Sequence, residues 1–391
     1  MRGISIEMSI PKTADIVIIG GGVMGASTAY HLALRGQKNV VLLEKDEFFG
    51  QEATGRCAGG VRFQFSTEIN VRLSLASLPM LDRFKEEMRQ EINFRKCGYL
   101  FILTKPDDVK TFRHSLEMQQ GLGVHTEWLS SDEVRQRLPL MRFEDALAGS
   151  YNAGDGLVDP NSVVMGYINA AQRLGVQCLN RVEVTRIRVE SGRVSAVETD
   201  QGILQTRAVV NAAGPWAGVI GGMAGVEIPI IALRRQIMTT TSLPEVPADF
   251  PFVLDFAQSL YFHREGEGIL TGMSNPNEKH GFDQNIDESF EMINLEAAIA
   301  RMPCLEKAGL VSHWAGLYEV TPDAHPIFGG SPVAGFSIVA GFSGHGFMHG
   351  PIAGKLMTEY ILDGNFKTVE VTMLDLARFK EGRPIREYNV V

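Results

Sequence analysis

The clearest hydrophobic pattern lies near the start of the chain. Ile16–Ile19 is a four-residue apolar run, short enough for a strand that is buried on both faces. Ala26–Leu34 has the length and composition of a helix, and Val40–Leu43 is a second short apolar run. This order predicts a strand–helix–strand unit with parallel strands.

Three glycines separate the first predicted strand from the helix. Gly20, Gly22 and Gly25 form G-x-G-x-x-G: the first turns the chain, the second admits a pyrophosphate, and the third lets the helix pack on the strand. The helix N-terminus offers free N–H groups and a positive dipole end to phosphates. Glu44, at the end of the second strand, is placed to bind ribose hydroxyls. The unit therefore predicts a dinucleotide site that favours FAD or NAD over NADP.

Patterns in the first half predict further helices and a boundary. Met80–Glu91 and the stretch ending near Leu138 are expected to be largely helical, with a strand at Tyr99–Leu103 and a polar turn at Lys105–Asp108. The glycines and aspartates of AGDGLVDP, at 153–160, indicate a boundary. Two more helices, each stopped by a glycine, are expected at Asn161–Leu174 before Gly175 and at Pro351–Leu362 before Gly364.

Short apolar runs separated by turn residues predict strands in the second half of the chain. They are Val182–Val189, Val194–Thr199, Leu204–Asn211, Leu233–Thr241, Phe252–Leu254, Leu260–His263, Ile269–Met273 and Ser337–Ala340. Asn211–Trp216, which reads NAAGPW, ends one of these strands. Its small residues either let the backbone approach a bulky ligand or form a tight turn into a helix.

Composition narrows the class of protein. The 391 residues suit two domains, and 45% hydrophobic and 21% charged residues are typical of a globular protein. A net charge of −9 without a basic run argues against nucleic-acid binding. No apolar stretch reaches the roughly 18–20 residues of a membrane span. The first fourteen residues lack the apolar core of a signal peptide, so a cytoplasmic location is expected.

The cysteines indicate neither a zinc site nor a disulfide framework. Cys57, Cys97, Cys178 and Cys304 are scattered without C-x-x-C spacing. Reduced thiols are consistent with the cytoplasm.

Motifs in a fixed order carry a family resemblance that covers nearly the whole chain. The chain resembles the flavin-dependent amine and amino-acid oxidoreductases related to D-amino acid oxidase, glycine oxidase and sarcosine oxidase. The motifs are GGGVMG, ATGRCAGG at Ala53–Gly60, NAAGPW, GLYEVTPDAHPIFG at Gly316–Gly329 and GFSGHGF at Gly341–Phe347. Within this family, the chain most resembles the sarcosine oxidase β-subunit and dye-linked L-proline dehydrogenase β-subunit.

The resemblance implies an α/β fold: a Rossmann-like FAD-binding domain of the D-amino acid oxidase (GR2) type with an inserted α+β substrate domain. The FAD-binding domain would comprise residues 14–80, 150–225 and 320–391, and the substrate domain residues 81–149 and 226–319. The branch also implies a second subunit or a homo-oligomer. The expected ligands are FAD and a small amino acid or secondary amine.

The residue types of these motifs agree with a flavin site. Small residues at Ala53–Gly60 suit a backbone packed beside a flat ring. Glycines before the last helix would place its positive N-terminus near the flavin pyrimidine edge, where negative charge accumulates on reduction; a plain loop is the alternative. The residues expected to hold FAD are Gly20, Gly22, Gly25, Glu44, Thr54, Gly55, Arg56, Cys57, Ala58, Gly59, Val182, Ala213, Gly214, Trp216, Gly316, Gly344, His345, Gly346, Phe347 and Met348.

Departures from the family pattern predict non-covalent FAD. Monomeric sarcosine oxidases attach flavin to a cysteine in the TPD motif, and the aligned residue here is Gly316, which excludes attachment there. Dimethylglycine and sarcosine dehydrogenases use a histidine near the first loop, and the comparable residue here is Cys57. A cysteine can form a flavin thioether, but a buried cysteine more often acts as a small hydrophobe.

The family's usual carboxylate anchors are both missing. Tyr318 and Glu319 stand where GLRP-type members have an arginine and a proline, and Met348 stands where monomeric sarcosine oxidases have a lysine. Since a buried carboxylate needs a cation, Arg62 is the first replacement candidate, with a surface or flavin-contacting role as the alternative. The next candidates are Arg235 and Arg234. Polar residues expected to line the substrate pocket are Tyr261, His263, Tyr318 and His345.

These observations lead to a functional hypothesis. We expect hydride transfer from the α-carbon of a small amino acid (sarcosine, proline or glycine-like) to flavin N5. Leu270 stands where monomeric sarcosine oxidases place an oxygen-activating lysine, which favours a dehydrogenase. The alternatives are a peroxide-forming glycine or D-amino acid oxidase, a non-catalytic flavin-binding assembly subunit and, less favoured, an NAD-only dehydrogenase.

Overall fold

A computed structural model describes residues 10–390. Its helices are α1 (Val23–Leu34), α2 (Glu68–Asp82), α3 (Phe84–Met88), α4 (Pro106–Gly121), α5 (Ser131–Arg137), α6 (Pro160–Arg173), α7 (Ala217–Met223), α8 (Glu288–Arg301) and α9 (Gly346–Asp363). Its strands are β1 (Ile16–Ile19), β2 (Val40–Leu43), β3 (Gly60–Val61), β4 (Tyr99–Leu103), β5 (Glu127–Ser130), β6 (Ala148–Asn152), β7 (Gly156–Leu157), β8 (Gln177–Leu179), β9 (Val184–Glu190), β10 (Arg193–Thr199), β11 (Gly202–Gln205), β12 (Val209–Asn211), β13 (Ile231–Thr240), β14 (Phe252–Asp255), β15 (Leu260–Glu265), β16 (Gly268–Met273), β17 (Leu310–Val320), β18 (Ile327–Gly330) and β19 (Phe336–Ala340).

A largely parallel sheet, built from strands of both halves of the chain, is one of the two main sheets of the fold. Its strand order is β18-β19-β12-β1-β2-β8, and β1 pairs in parallel with both β12 and β2. Ile16 and Ile18 pack into the hydrophobic cluster on one face, with α1, α6 and α9, whereas Val17 and Ile19 pack into the cluster on the other face. Burial on both faces explains why this strand is apolar throughout rather than alternating.

A second, mixed sheet lies beside the first. Its order is β17-β13-β16-β15-β14-β4-β6-β5, with a parallel pair at β14 and β4. These strands come from residues 99–152 and 231–320. The expected division into FAD-binding and substrate domains stays a prediction, and β6 crosses the boundary that it placed at residue 150.

Helices α1 and α9 come from opposite ends of the chain and pack at very short range. A Cβ atom added to Gly350 would lie 2.3 Å from Val23 Cγ2, and one added to Gly354 would lie 2.3 Å from Ser27 Oγ. Ser27 Oγ donates a hydrogen bond to the Pro351 carbonyl at 3.0 Å. The two glycines therefore permit the contact, which brings the N-termini of both helices to one edge of the parallel sheet.

Most of the predicted elements are confirmed, with shifts of a few residues at their ends. The prediction of one strand over Leu204–Asn211 is wrong. The segment holds β11, which pairs with β10, and β12, which pairs with β1 in another sheet. The two strands are separated by Thr206–Ala208, which belong to no strand.

Two helix predictions and one turn prediction are also wrong in part. The helix expected at Met80–Glu91 is the end of α2 and the short α3. The polar turn expected at Lys105–Asp108 is the start of α4, because Pro106 suits the first helical position and two aspartates favour the positive end of the helix. The last helix starts at Gly346 and continues through Pro351.

Among residues 10–390, no helix is both long and apolar enough to cross a bilayer. The prediction of a cytoplasmic location rests on the first fourteen residues, and most of these lie outside the described part of the chain.

Candidate active site

Two adjoining cavities lie where the parallel sheet meets the mixed sheet. The first cavity, about 1270 Å³ including its open mouth, runs from the loop after β1 to the N-terminus of α9. The second cavity, about 810 Å³ measured in the same way, lies against the mixed sheet. Residues that line both cavities are Ala53, Cys57, Leu317, Tyr318, Gly344 and Phe347. A ligand in the first cavity would therefore form part of the wall of the second.

The glycine loop at one end of the first cavity is shaped by its backbone. Gly20 has φ +109°, and a Cβ atom there would lie 2.4 Å from the Ala212 carbonyl oxygen. A Cβ atom at Gly25 would lie 1.9 Å from the Gly20 carbonyl oxygen, so only glycine lets α1 start this close to the strand. The loop thus exposes the α1 N-terminus to the cavity, the arrangement that binds a pyrophosphate.

Glu44 is held in place by backbone groups at the end of β2. Its Oε2 atom accepts a hydrogen bond from the Gly21 N–H at 2.7 Å, and its Oε1 atom accepts one from the Asp46 N–H at 2.9 Å. Each oxygen retains a lone pair for a ribose hydroxyl. Burial raises the pKa of this carboxyl, and the two N–H groups oppose the shift.

The other end of the first cavity is formed by the start of α9. Gly346 and Phe347, in its first turn, line the cavity, and His345 directly precedes the helix. The Tyr318 ring packs against Gly344, where a Cβ atom would lie 2.4 Å from a ring carbon. The positive end of a long helix therefore faces the region between the two cavities.

Most of the residues expected to hold FAD line one or both of these cavities. Those lining the first are Gly20, Gly22, Glu44, Thr54, Cys57, Val182, Ala213, Gly214, Trp216, Gly344, Gly346 and Phe347. Those lining the second are Arg56, Cys57, Ala58, Gly59, Gly316, Gly344, His345, Phe347 and Met348. Gly25 and Gly55 line neither cavity: a Cβ atom at Gly55 would lie 2.4 Å from the Gly50 carbonyl oxygen, so both glycines allow close packing behind the site.

Aromatic rings form much of the wall of the second cavity. Tyr99 and Phe252 stack with centroids 4.1 Å apart, and Phe252 stacks on Tyr261 at 5.7 Å. The Tyr261 hydroxyl lies over Gly272, where a Cβ atom would be 2.3 Å from it. The rings limit the access of water, and three tyrosines (Tyr99, Tyr261 and Tyr318) bring hydroxyl groups to the cavity wall.

Two arginines also line the second cavity: Arg62 is buried, and Arg235 is half-buried. The Arg62 guanidinium donates to the carbonyl oxygens of Gln64 and Asn389 and lies 3.9 Å from the centroid of the Phe65 ring. Arg235 lies 5.0 Å from the centroid of the Tyr318 ring, and its Nε atom is buried without a hydrogen-bond partner among residues 10–390. Burial lowers the pKa of both side chains. Arg235 therefore has more donor capacity available than Arg62 has.

Arg234 and His263 do not line either cavity. Arg234 is engaged in ion pairs with Glu278 at 3.0 Å and Asp283 at 3.2 Å, which account for its charge. His263 is close to the Arg264 carbonyl oxygen, with Nδ1 at 3.1 Å, and burial lowers its pKa to about 4. The expectation that His263 lines the pocket is wrong, because its ring turns towards the neighbouring backbone.

His345 has an unusual environment. Its ring is 1% exposed, it lines the second cavity, and within the described chain neither ring nitrogen has a hydrogen-bond partner. Burial, followed by the neighbouring His349 and His325, lowers its pKa well below the usual range. The ring is therefore neutral at physiological pH and offers one donor and one acceptor.

Cys57 lies at the junction of the two cavities, and burial raises its pKa to about 12. The thiol therefore stays protonated at neutral pH, whereas a thiolate is needed for nucleophilic attack. This environment favours the small-hydrophobe interpretation over a flavin thioether.

Sequence reasoning missed several residues of the site. The sequence patterns predict only strands for Tyr99 and Phe252 and no role for Val390, although all three line the second cavity. Glu319 was noted only as a departure from a motif, yet it lines the first cavity. No motif surrounds the aromatic residues, so the sequence offers no sign that separates them from core residues.

The residues present fit FAD. The first cavity suits an adenine dinucleotide that ends in a flat, reducible ring. It offers the glycine loop at the α1 N-terminus, the Glu44 carboxylate at the end of β2 and, at its far end, the N-terminus of α9. Glu319 Oε2 is buried without a partner among the described residues and adds a polar atom beside this cavity.

Comparisons with known proteins agree with this geometry. The family described as DAO, FAD dependent oxidoreductase, matches residues 15–360. Mitochondrial dimethylglycine dehydrogenase of Rattus norvegicus is 32% identical over 374 residues, which cover 90% of this chain and 43% of that protein. Mitochondrial sarcosine dehydrogenase of Mus musculus is 31% identical over 387 residues, which cover 95% of this chain and 42% of that protein. The chain thus spans less than half the length of these two relatives.

A solved structure matches over its full length. The crystal structure of L-proline dehydrogenase from P. horikoshii superposes with a TM-score of 0.89 at 32% identity and covers 96% of this chain and 100% of that chain.

Proposed function

The chain belongs to the DAO family of FAD-dependent oxidoreductases, and from this premise we propose that it oxidises the C–N bond of a small amino acid. The substrate would carry a secondary or N-methylated amine, as sarcosine and proline do, or resemble glycine. The observation that carries the proposal is Arg235, a half-buried cation with a buried, unpartnered Nε atom and no carboxylate partner among the described residues, in the wall of a cavity that adjoins the dinucleotide site.

The family match confirms three expectations from the sequence: the α/β fold of the D-amino acid oxidase type, FAD as the cofactor and membership of the flavin-dependent oxidoreductases. The names of the relatives support the substrate class, since they act on dimethylglycine, sarcosine and L-proline. These substrates share a small carbon skeleton, a carboxylate and a substituted amine.

Arg235 is the proposed anchor for the substrate carboxylate. A carboxylate entering the second cavity loses its water, and a guanidinium with an unused Nε–H recovers part of that cost through a charge-assisted hydrogen bond. Arg62, the first candidate from the sequence, would then add positive charge while its Nη atoms donate to the carbonyl oxygens of Gln64 and Asn389.

The aromatic residues would orient the amine. Tyr99, Phe252 and Tyr261 enclose the apolar part of the cavity, and the Tyr318 ring lies between Arg235 and Gly344. Neutral His345 would hydrogen-bond the substrate or a water molecule without adding charge. No protein base is required once the substrate amine is deprotonated.

When bound, FAD supplies an electron-poor ring that takes up the hydride from the substrate carbon. We propose non-covalent binding, supported by the protonated state of Cys57, and the first cavity residues Gly20, Gly22, Glu44, Gly346 and Phe347 as its principal contacts. We also propose a dehydrogenase rather than an oxidase, since Leu270 offers no cation for reaction with oxygen. The second subunit or homo-oligomer and the cytoplasmic location stay predictions.

The first test is anaerobic reduction of the flavin. Sarcosine, dimethylglycine, L-proline, D-proline, glycine and D-alanine are mixed in turn with the FAD-loaded protein, and the visible flavin band is recorded before and after air is admitted. We expect one class of substituted amine to bleach the band and recovery in air to be slow. Fast recovery would indicate an oxidase, and a band that none of these amines bleaches would contradict the proposal.

The second test examines the carboxylate anchor. Replacing Arg235 with methionine is expected to lower kcat/KM for the amino acid by about 100-fold, the range for loss of one buried charged hydrogen-bond partner. The matched comparison uses an amine without the carboxylate, pyrrolidine for proline or dimethylamine for sarcosine, whose reaction rate should change little. Equal losses for both substrates would show that Arg235 acts on the fold or on the flavin instead.

A further inference from the structure

Glu319 is a carboxyl group that the proposed reaction does not use. It lies near the end of β17 and is 9% exposed. It lines the first cavity but not the second. Its neighbour on the strand, Tyr318, lines both cavities, whereas Glu319 lines only the first. The side chain therefore belongs to the dinucleotide side of the shared wall.

The two carboxyl oxygens have different environments. Oε1 accepts a hydrogen bond from the Phe342 N–H at 3.3 Å, which ties the carboxyl to the loop before α9. Oε2 is buried and has no partner among residues 10–390. It faces Gly214, where a Cβ atom would lie 3.6 Å from it, so the absence of a side chain there leaves room beside Oε2. Oε2 thus lies between the NAAGPW loop and the loop that leads into α9.

An unpartnered buried carboxyl oxygen is costly, by about 1–3 kcal/mol or more, and natural proteins usually satisfy such atoms. Burial raises the pKa of Glu319 to about 7, and the nearby backbone N–H groups of Gly341 and Phe342 oppose the shift. A carboxyl that is substantially protonated at neutral pH has an O–H group to donate.

We propose that Glu319 is a cofactor-contacting residue whose protonated carboxyl donates a hydrogen bond through Oε2 to an acceptor atom of the bound flavin nucleotide. This inference rests on the proposed use of the first cavity for FAD. A neutral acid provides a donor without placing a negative charge next to a ring that gains electrons, and thus leaves the positive potential of the α9 N-terminus intact. An arginine or lysine here would instead add a positive charge.

The test measures FAD binding by the apoprotein, followed by flavin fluorescence, in Glu319→Leu, Glu319→Gln and the matched control Glu227→Leu. Glu227 is exposed and lines neither of the two cavities. We expect the Kd for FAD to rise at least tenfold in Glu319→Leu, to change less than about threefold in Glu319→Gln, because an amide also donates, and to stay unchanged in the control. A Glu319→Leu protein that is folded and binds FAD like the wild type would overturn the inference.

An infrared measurement keeps the inference testable even where the leucine variant does not fold. At pH 6, the difference spectrum between FAD-bound and FAD-free wild type should show a shifted carbonyl band of a protonated carboxyl, which is missing in Glu319→Gln. A difference spectrum without this band contradicts the inference. If the wild-type apoprotein itself does not bind FAD, the proposed function fails, whereas FAD binding that is insensitive to Glu319 overturns only this contact.

Discussion

The two cavities are built in different ways. The first takes much of its lining from a few short motifs with small residues, such as Gly20–Met24 and Ala212–Trp216. The second is lined by large side chains that come from separate strands, among them Tyr99 on β4, Arg235 on β13 and Tyr261 on β15. The shape of the first cavity therefore depends mainly on local backbone turns, and the shape of the second depends mainly on large side chains.

This difference predicts how each cavity responds to substitution. Adding an atom to the glycine turns that shape the first cavity is expected to prevent cofactor binding. Changing a side chain in the second alters which small molecule fits, while the backbone and the bound flavin stay in place. The predictions below test this separation, beginning with the largest effect.

The largest effect is expected from Gly25→Val. A Cβ atom at this position would lie 1.9 Å from the Gly20 carbonyl oxygen, and neither α1 nor β1 can move without losing its packing. We expect the protein to be purified without flavin and the Kd for FAD to rise by about 100-fold or more. Absorbance of the purified protein and titration with FAD measure both effects.

The control for this substitution is Gly121→Ala. Gly121 ends α4, is exposed, and has no atom within 4 Å of an added Cβ atom. Its FAD content should equal that of the wild type. A flavin-free control, or a fully loaded Gly25→Val protein, would disprove the view that the backbone defines the first cavity.

A large effect on stability is expected from Glu387→Gln. Glu387 accepts hydrogen bonds from the Ser66 N–H at 2.7 Å, from Thr67 Oγ1 at 2.6 Å and from Asn70 Nδ2 at 2.9 Å. These bonds hold the chain segment in which the Asn389 carbonyl accepts a hydrogen bond from Arg62. Burial raises the pKa of Glu387, but these hydrogen bonds outweigh it and hold the pKa below its usual range. We expect a loss of about 3 kcal/mol in the free energy of unfolding at pH 7.

The pH dependence follows from the direction of this shift. Because the folded-state pKa lies below the unfolded value of about 4.3, the stabilisation is complete above that value and is lost as the pH falls through the folded pKa. The difference in Tm between wild type and Glu387→Gln should therefore shrink from pH 7 to pH 3. Glu117→Gln, on the exposed face of α4, should show no such trend. A constant difference in Tm would contradict the assignment to an ionised Glu387.

A moderate and selective effect is expected from Gly272→Ala. An added methyl group would lie 2.3 Å from the Tyr261 hydroxyl and displace that ring within the second cavity. We expect kcat/KM to fall about tenfold, which corresponds to about 1.4 kcal/mol, with the Kd for FAD unchanged. Tyr261→Phe, which keeps the ring and removes the hydroxyl, separates the two contributions. A change in FAD affinity would show that the two cavities are not independent.

The smallest effect is expected from Cys57→Ala, although this residue lines both cavities. Since the thiol is protonated, the wild type should release all of its FAD when it is denatured in acid, and the variant should hold the same amount of FAD. Flavin that remains with the denatured wild-type protein, but not with the variant, would demonstrate a thioether.

The difference between the cavities also explains what could be predicted from the sequence. The glycine loop, Glu44 and the strands around them were predictable, because their requirements are local and fall within one unit of about thirty residues. Strand β17 was not predicted: its first four residues, Leu310–His313, are exposed at the edge of a sheet, so the pattern lacks the alternation of a half-buried strand.

The arrangement of the second cavity could not be predicted in the same way. Tyr99 and Phe252 meet because β4 and β14 pair in parallel, a register that neither segment specifies alone. Arg62 ranked first from its position near a motif, but the sequence gives no indication that its donors reach the Asn389 carbonyl more than 300 residues away.

The contact between α1 and α9 has a consequence for how the protein is made. A ribosome adds roughly 5–20 residues per second, so Gly350 and Gly354 follow Val23 and Ser27 by a time on the order of tens of seconds. During that time the apolar face of α1 lacks its contact with α9, and one side of the nucleotide site does not yet exist. We therefore expect the nascent chain to depend on chaperones until α9 has been synthesised, and to capture FAD only then.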